Sequence, residues 1–261
     1  MNLLDQIITS KKREVALKKS IIAINQLENS DLFNAKTHSL SKSILNSPFG
    51  IIAEHKRRSP SKATINHSLS VEKVAKGYQN AGASGISILT DSQYFGGSLD
   101  DLLLAKASVT TPLLRKEFII DEYQILEAKA NGADAILLIA SVLTRTEIKS
   151  LSEFAHSIAL EVLLEVHNLE ELEQSIMPSL DIIGVNNRNL KTFEVSLQNS
   201  IDLVTQIPTD FVKISESGLN NPEEVELLKS HGFHGFLIGE NFMKTDNPGV
   251  ALEQFINQLK A

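Results

Sequence analysis

Short apolar segments recur along the chain at intervals of about twenty to thirty-five residues, and stretches with helical periodicity separate them. Strands that are buried on both faces appear as continuous apolar runs, so each segment predicts a strand of a parallel sheet. The eight predicted strands lie at residues 50–54, 84–89, 112–115, 134–139, 160–165, 181–185, 211–215 and 234–238. Between them apolar residues recur at i, i+3 and i+4, as at Val71, Val74 and Tyr78, which predicts intervening helices.

Local signals mark the ends of these helices. Residues that favour a helix N-terminus precede four of them, namely Ser70, Asp121, Thr144 and Asn221. Glycines that favour a left-handed conformation stand just past three helix ends, at Gly82, Gly132 and Gly232. Eight repeated units favour a closed (β/α)8 TIM barrel over an open doubly wound sheet, which commonly has a glycine-rich turn after its first strand. The motif G-x-G-x-x-G is absent from the sequence.

The first predicted strand begins only near residue 50, so the chain carries an additional N-terminal helical segment. We expect one TIM-barrel domain over residues 1–261, with the extension at 1–48 and eight βα units at 49–261. Two helices are predicted in the extension, near 2–19 and 21–28. They could cap one barrel end or contribute to its mouth.

Composition and charge exclude several classes of protein. The chain has no cysteine, which excludes disulfides and thiolate metal sites and is compatible with the cytoplasm. The formal net charge of −7 makes nucleic acid an unfavourable partner. The longest apolar stretch, near residues 135–140, is far shorter than the roughly 20 residues that span a bilayer. The first twenty residues do not have the pattern of a signal peptide.

The seven histidines do not suggest a metal site. His231 and His234 have an H-x-x-H spacing, but they precede the eighth strand and so belong to the end opposite the strand termini. His167 has no apparent ligand partner in the sequence. We therefore predict no metal and no redox cofactor, and protein partners stay open.

Charged and polar residues follow the carboxyl ends of most predicted strands. In the first, Glu54 and Lys56 are two residues apart and therefore share one face. A charge run of this kind is usually a solvated loop, and that is our prediction for Arg57 and Arg58. Further candidates at later strand ends are Lys116, Glu165, Asn186 and Glu216. Because all strand ends of a barrel converge on one mouth, this pattern predicts a functional site there.

Particular residue types suggest particular chemistry. Lys116 follows an apolar run, where burial and neighbouring cations would lower its pKa and suit it to general acid catalysis. The alternative is a surface lysine paired with Glu117. Glu165 ends another apolar run and is either a general base or a member of a structural ion pair. The glycines after strands seven and eight, Gly218 and Gly239, have the placement of a barrel phosphate site.

These segments closely resemble the indole-3-glycerol phosphate synthase family of tryptophan biosynthesis. The likeness extends from about residue 3 to residue 255, and its most specific parts are residues 52–62, 88–91, 94–98, 114–124, 164–167, 183–190, 215–218 and 236–240. The resemblance implies a carbon–carbon lyase that closes the pyrrole ring of 1-(2-carboxyphenylamino)-1-deoxyribulose 5-phosphate, with loss of CO2 and water. It implies a phosphorylated small-molecule substrate and no cofactor.

The resemblance also implies a catalytic role for five residues. Lys116 is similar to the general acid that protonates the substrate ketone oxygen. Lys56 would hold the substrate carboxylate, and Glu54 would orient Lys56 by a charge-assisted hydrogen bond. Glu165 is similar to the acid/base residue of the dehydration step, while Asn186 would bind substrate hydroxyls.

The remaining site residues are implied as substrate contacts. Arg188 would neutralise an anionic group of the substrate, either the carboxylate or the phosphate. The phosphate contacts would be Ser59, Ser217, Gly218, Gly239 and Glu240, and the last would contribute its backbone only. The residues around the aromatic ring would be Phe95, Phe118, Leu137, Leu190 and Ile238. Glu216 is placed with the substrate-binding group.

Two other functions are compatible with a phosphate-binding barrel. A phosphoribosylanthranilate isomerase has a similar substrate but releases no CO2, and the set of Glu54, Lys56 and Lys116 favours the synthase. A non-catalytic barrel that binds a phosphorylated metabolite would bind without turnover. The presence of every acid and base that the family reaction needs argues against it.

Overall fold

A closed barrel of eight parallel strands forms the centre of the molecule, in a computed structural model that describes residues 2–189 and 194–260. Each strand pairs with the next, and β1 pairs with β8 to close the barrel. The strands are β1 (Ile51–His55), β2 (Gly85–Leu89), β3 (Leu113–Lys116), β4 (Ala135–Ile139), β5 (Glu161–Val166), β6 (Ile182–Asn186), β7 (Val212–Glu216) and β8 (Gly235–Ile238). The prediction of a TIM barrel is confirmed, and each predicted strand lies within one residue of the observed one.

Helices cover the outside of the barrel and precede it. Before β1 lie α1 (Leu3–Ile21), α2 (Ile24–Glu28) and α3 (Leu40–Leu45). The helices among and after the strands are α4 (Val71–Asn80), α5 (Ser92–Phe95), α6 (Leu99–Ser108), α7 (Glu122–Ala130), α8 (Arg145–Ser157), α9 (Leu169–Ser175), α10 (Gln198–Val204), α11 (Pro222–Ser230), α12 (Glu240–Met243) and α13 (Pro248–Gln258). Within the described residues, no helix combines the length and the apolar character needed to cross a membrane.

The alternation of side chains along each strand separates an apolar layer from a charged layer inside the barrel. Ile52, Leu163 and Ile214 belong to the cluster of apolar side chains that fills the interior. Two residues further along β1, β5 and β7, on the same face, stand carboxylates. The opposite faces of the strands pack against the outer helices in a second, larger cluster. The barrel is therefore closed below by packing, and its acidic side chains meet at the carboxyl end.

The N-terminal extension reaches both ends of the barrel. Helix α3 closes the lower end, where Leu40 and Ile44 are fully buried and belong to the interior apolar cluster. Helix α1 reaches the mouth, where Leu3 and Ile7 line the cavity. The two alternatives left open by the sequence are thus both realised, by different helices. Helix α3 was not predicted, because its six residues are too few for a periodic pattern.

The predicted helix boundaries are largely present. Thr144 and Asn221 form capping boxes, and Asp121 accepts a hydrogen bond from the backbone of Tyr123. Ser70 is also an N-cap residue, although its side chain makes no capping hydrogen bond. The three glycines past helix ends all have positive φ, at Gly82, Gly132 and Gly232.

Candidate active site

The carboxyl ends of the strands surround a cavity of about 540 Å³, which is a typical size for a small-molecule site. Apart from Leu190, which lies outside the described residues, every predicted site residue lines this cavity. They are Glu54, Lys56, Ser59, Phe95, Lys116, Phe118, Leu137, Glu165, Asn186, Arg188, Glu216, Ser217, Gly218, Ile238, Gly239 and Glu240. The structure therefore brings together residues from all eight βα units, and the roles assigned to them stay predictions.

Glu54 and Lys56 form an ion pair at the end of β1. Lys56 Nζ lies 2.7 Å from Glu54 Oε1, and the carboxylate is buried. Burial alone would raise the pKa of Glu54, but Lys56 and Lys116 lower it below its ordinary value. A Cβ at Gly239 would lie 2.6 Å from Glu54 Oε1, so a residue without a side chain is required at the end of β8. Glu54 is therefore ionised, and the pair is closely packed.

Lys116 stands between two carboxylates at the end of β3. Its Nζ lies 2.9 Å from Glu216 Oε2 and 3.2 Å from Glu165 Oε2. Burial lowers the pKa of this lysine, but Glu216, Glu165 and Glu54 raise it above its ordinary value. The prediction of a lowered pKa was wrong, because the strand positions did not reveal that three carboxylates from across the barrel would face the ammonium group. The alternative pairing with Glu117 is also absent, since Glu117 contacts Lys11.

Glu216 binds a proton more tightly than an ordinary glutamate does, so its pKa is raised. Its burial, together with the charges of Glu165 and Glu54, raises its pKa to about 7 despite the contact with Lys116. Its Oε1 is buried and has no hydrogen-bond partner among the described residues. Glu216 can therefore exchange a proton near neutral pH, and no local sequence pattern predicted this property.

The pKa of Glu165 is shifted in the opposite direction, below its ordinary value. Burial raises the pKa of this carboxyl, but the charges of Lys116 and His167 and a hydrogen bond from Asn186 lower it below its ordinary value. Asn186 is itself fixed, because its Oδ1 accepts a hydrogen bond from the backbone N–H of Arg188 at 3.0 Å. Two neighbouring carboxyl groups are thus driven apart in pKa, which is the arrangement that general acid–base catalysis uses.

An apolar wall faces these charges. The rings of Phe95 and Phe118 are 6.1 Å apart between centroids, and Leu137 and Ile238 also line the cavity. Asp91 fixes the position of Phe95 by accepting hydrogen bonds from the backbone N–H groups of Tyr94 and Phe95. An aromatic ring of a ligand would fit against this wall.

The ends of β7 and β8 contribute backbone rather than charge. Ser217 and Gly218 both have positive φ, at 69° and 77°. Glu240 begins the short helix α12, and its carboxylate pairs with Lys62 from the loop after β1. This pairing neutralises the carboxylate beside the predicted phosphate site.

A sequence model of the family described as "Indole-3-glycerol phosphate synthase" matches residues 4–255. A protein of that name from Bacteroides thetaiotaomicron is 48% identical over 259 residues, which cover 99% of each chain. The chain belongs to the indole-3-glycerol phosphate synthase family. A second relative of that name, from Polynucleobacter necessarius, is 39% identical and covers 98% of this chain and 99% of its own length.

Solved structures show the same fold outside the indole-3-glycerol phosphate synthase family. KGPDC from Streptococcus mutans has a TM-score of 0.60 at 15% identity, over 80% of this chain and 96% of its own. A mutant tryptophan synthase alpha-subunit from Pyrococcus furiosus has a TM-score of 0.61 at 14% identity, over 80% of this chain and 97% of its own. At these identities the likeness extends to the fold alone.

The arginines of the first loop are half-buried and paired in this member of the indole-3-glycerol phosphate synthase family, whereas fully solvated charges were predicted. Arg57 binds both oxygens of Asp101 and also donates to the backbone oxygen of Gly96. Arg58 donates to the backbone oxygens of Ser92 and Gln93. Both arginines thus fasten the loop after β1 to the segment that carries Phe95.

Sequence reasoning missed Lys11 of α1. Its side chain is buried, and its Nζ lies 3.0 Å from Asp91 Oδ2 and 3.1 Å from Glu117 Oε1. A signal was present, because Lys11 lies at i+4 from Ile7 and thus on the apolar face of a predicted amphipathic helix. A lysine at such a position requires a buried acidic partner.

The described residues contain no group of three or more side chains that could hold a metal ion. His234 stands at the entry of β8, where its Nδ1 accepts a hydrogen bond from the backbone N–H of Lys213 at 3.0 Å. It therefore belongs to the end of the barrel opposite the cavity.

Proposed function

We propose that this chain is an indole-3-glycerol phosphate synthase. It would convert 1-(2-carboxyphenylamino)-1-deoxyribulose 5-phosphate to indole-3-glycerol phosphate with loss of CO2 and water. The observation that carries the proposal is Lys116, held between Glu165 and Glu216 in a cavity that also contains the pair Phe95 and Phe118. We also propose that it acts in the cytoplasm, in keeping with a cysteine-free sequence.

Ring closure needs positive charge at the substrate ketone. As the aromatic carbon attacks, negative charge develops on the ketone oxygen. The three carboxylates keep Lys116 protonated, so it can stabilise that charge and then transfer a proton to the oxygen as it becomes an alkoxide. Lys116 is thus assigned as the general acid of the first step.

Decarboxylation follows from the position of the carboxylate on the substrate ring. Lys56 would hold this carboxylate during ring closure, with Glu54 fixing the ammonium group at 2.7 Å. Loss of CO2 restores the aromaticity of the ring, so the carbon skeleton itself supplies the driving force. The wall formed by Phe95 and Phe118 would hold the ring in place.

Dehydration requires a base and an acid. Glu165 is ionised because its pKa is lowered, which fits the role of base, and Asn186 would bind a substrate hydroxyl. Glu216, with a pKa of about 7, can both take up and release a proton at neutral pH. We therefore assign Glu216 a part in this exchange in addition to substrate binding.

The phosphate would bind where β7 and β8 end. Ser217, Gly218 and Gly239 would supply backbone N–H groups there, and Ser59 a hydroxyl from the first loop. Arg188 would add a positive charge. The ion pair between Lys62 and Glu240 supports this placement because it reduces repulsion between the Glu240 carboxylate and the phosphate.

The test is turnover of the deoxyribulose phosphate substrate by the purified protein, followed by release of CO2 and the appearance of indole fluorescence. Lys116→Ala should lower kcat at least about a hundredfold, the lower edge for a positioned general acid. Lys149→Ala is the matched control, because Lys149 is exposed on α8 and pairs only loosely with Glu153, at 3.9 Å. Binding without release of CO2 would refute the proposal.

A further inference from the structure

His167 lies immediately behind Glu165, and nothing in the proposed reaction uses it. Its side chain is 11% exposed, and its Nε2 lies 3.4 Å from Glu165 Oε1. The geometry of that approach is not that of a hydrogen bond, and Nε2 has no other partner among the described residues. The two oxygens of Glu165 are thus divided, since Oε2 contacts Lys116 and Oε1 faces the imidazole.

The other side of the imidazole is fixed by Glu171. His167 Nδ1 lies 3.1 Å from Glu171 Oε2, and the backbone N–H of His167 donates to the same oxygen at 2.8 Å. Glu171 is itself held by Asn168, whose side-chain amide donates to Glu171 Oε1 at 2.9 Å and accepts from its backbone N–H. A carboxylate can only accept, so Nδ1 carries a proton and Nε2 is the atom that changes state.

This arrangement couples the protonation of His167 to that of Glu165. A neutral imidazole would direct the Nε2 lone pair at an ionised Glu165, which is repulsive. An imidazolium would direct an N–H at it, which is attractive. The charged groups facing His167 are Glu165 on β5, Glu171 on α9 and Glu216 on β7, and together they raise its pKa although burial lowers it. Lys116 on β3 lies beyond Glu165.

We propose that His167, held by Glu171, is a positioning residue that orients Glu165 and keeps it ionised as the base of the dehydration step. The proposal rests on the proposed function for its catalytic part. It adds Glu171 and His167 behind the residues that line the cavity. The contacts then run in the order Glu171, His167, Glu165 and Lys116. His167 itself does not line the cavity, so it acts through Glu165 and not on the substrate.

The first test is the pH profile of kcat in His167→Gln. Removing the cation raises the pKa of Glu165, so the acidic limb of the profile should move to higher pH by about half a unit to one unit. The variant should therefore lose about three- to tenfold in kcat on the acidic limb, below the pKa of Glu165, and approach the wild type at neutral and alkaline pH, where Glu165 is ionised in both proteins. KM should change little. A loss of equal size at every pH, or an unmoved acidic limb, would overturn the proposal.

The matched control is His156→Gln. His156 is also paired with a carboxylate, since its Nε2 lies 2.7 Å from Asp181 Oδ2, but this pair lies before β6 at the other end of the barrel. The control should leave the acidic limb in place. Glu171→Gln should move the limb in the same direction as His167→Gln and by less, because it weakens the orientation of the imidazole without removing it.

A second measurement does not depend on turnover. The midpoint of the His167 imidazole titration, followed by NMR in the folded protein, should lie above the ordinary value of about 6.5 and should fall in Glu171→Gln. A midpoint at or below the ordinary value would overturn the proposal even in an active enzyme. If the wild type proves inactive, the proposed function fails, while the titration in Glu165→Gln, where the midpoint should also fall, still decides whether His167 is coupled to Glu165.

Discussion

Two clusters of ion pairs meet at β3, which contributes Lys116 to one cluster and Arg115 to the other. One faces the cavity and is called here the mouth cluster, comprising Glu54, Lys56, Lys116, Glu165 and Glu216. The other packs beneath α1 and is called the α1 cluster, comprising Lys11, Glu14, Lys18, Asp91, Arg115, Glu117 and Glu127. Consecutive residues, Arg115 and Lys116, belong to different clusters because their side chains point to opposite faces of the strand.

The clusters differ in how completely their polar atoms are paired. In the α1 cluster, Glu117 accepts from Lys11 and the backbone of Phe118 through Oε1 and from Thr90 through Oε2. In the mouth cluster, Oε1 of Glu216 has no partner within the described part of the chain. A buried polar atom without a partner costs about 1–3 kcal/mol. We therefore expect incomplete pairing beside a cavity, rather than burial of charge alone, to indicate a functional site.

Lys11→Met should produce the largest loss of stability. The change leaves Asp91 and Glu117 without their shared buried cation, and breaking a buried ion pair in this way costs about 3–5 kcal/mol. Urea denaturation at pH 7 measures the loss. Lys18→Met is the control, because Lys18 is 30% exposed and should cost about 1 kcal/mol or less. Equal losses in the two variants would show that the α1 cluster contributes no more than surface pairing.

The sequence predicts which face of a strand a residue occupies, but not which residues lie opposite it. The positions of Glu54, Lys116 and Glu165 at the carboxyl ends of predicted strands placed them at the barrel mouth, and their positions in the cavity agree. The raised pKa of Lys116 depends on carboxylates from β1, β5 and β7, and these are brought close only by closure of the barrel. A local sequence pattern therefore cannot identify contact partners that are distant along the chain.

The same reason explains what was missed outside the barrel. The contact of Lys11 with Asp91 joins residues that are eighty positions apart in the chain, and the pairing of Arg57 with Asp101 joins neighbouring βα units. Periodicity predicted helix α1 but gave no information on the angle at which it crosses the barrel. The acidic partners of α1 became apparent only in the folded structure.

Glu216→Gln should stabilise the protein at pH 8, whereas most substitutions destabilise a protein. A raised pKa means that Glu216 contributes stability below its unfolded pKa of about 4.5 and that this contribution is lost as the pH rises through about 7. Glutamine stays neutral, so the variant does not lose this contribution and should be more stable than the wild type at pH 8. Its stability relative to the wild type should rise by about 1–3 kcal/mol between pH 5 and pH 8. Its kcat should fall at least about tenfold. Denaturation at the two pH values and a rate assay measure both effects.

Glu117→Gln is the control for that prediction. Glu117 has the same residue type and a similarly complete burial, but it belongs to the α1 cluster. Its replacement weakens the contact with Lys11 and should destabilise the protein at both pH values. If both glutamine variants changed stability in the same direction at pH 8, the distinction between the clusters would be lost.

Lys62→Met should give the smallest effect, because its partner Glu240 lies at the rim of the cavity and both side chains are exposed. Exposed ion pairs contribute about 0.2–1 kcal/mol, so stability should change by no more than that. The unpaired carboxylate of Glu240 would then repel the substrate phosphate, and KM should rise about two- to fivefold with kcat retained. The double variant Lys62→Met with Glu240→Gln removes that repulsion, so its KM should return most of the way to the wild-type value. A KM that stays high in the double variant would mean that Lys62 contacts the phosphate itself, and the rim would then share in substrate binding with the buried mouth cluster.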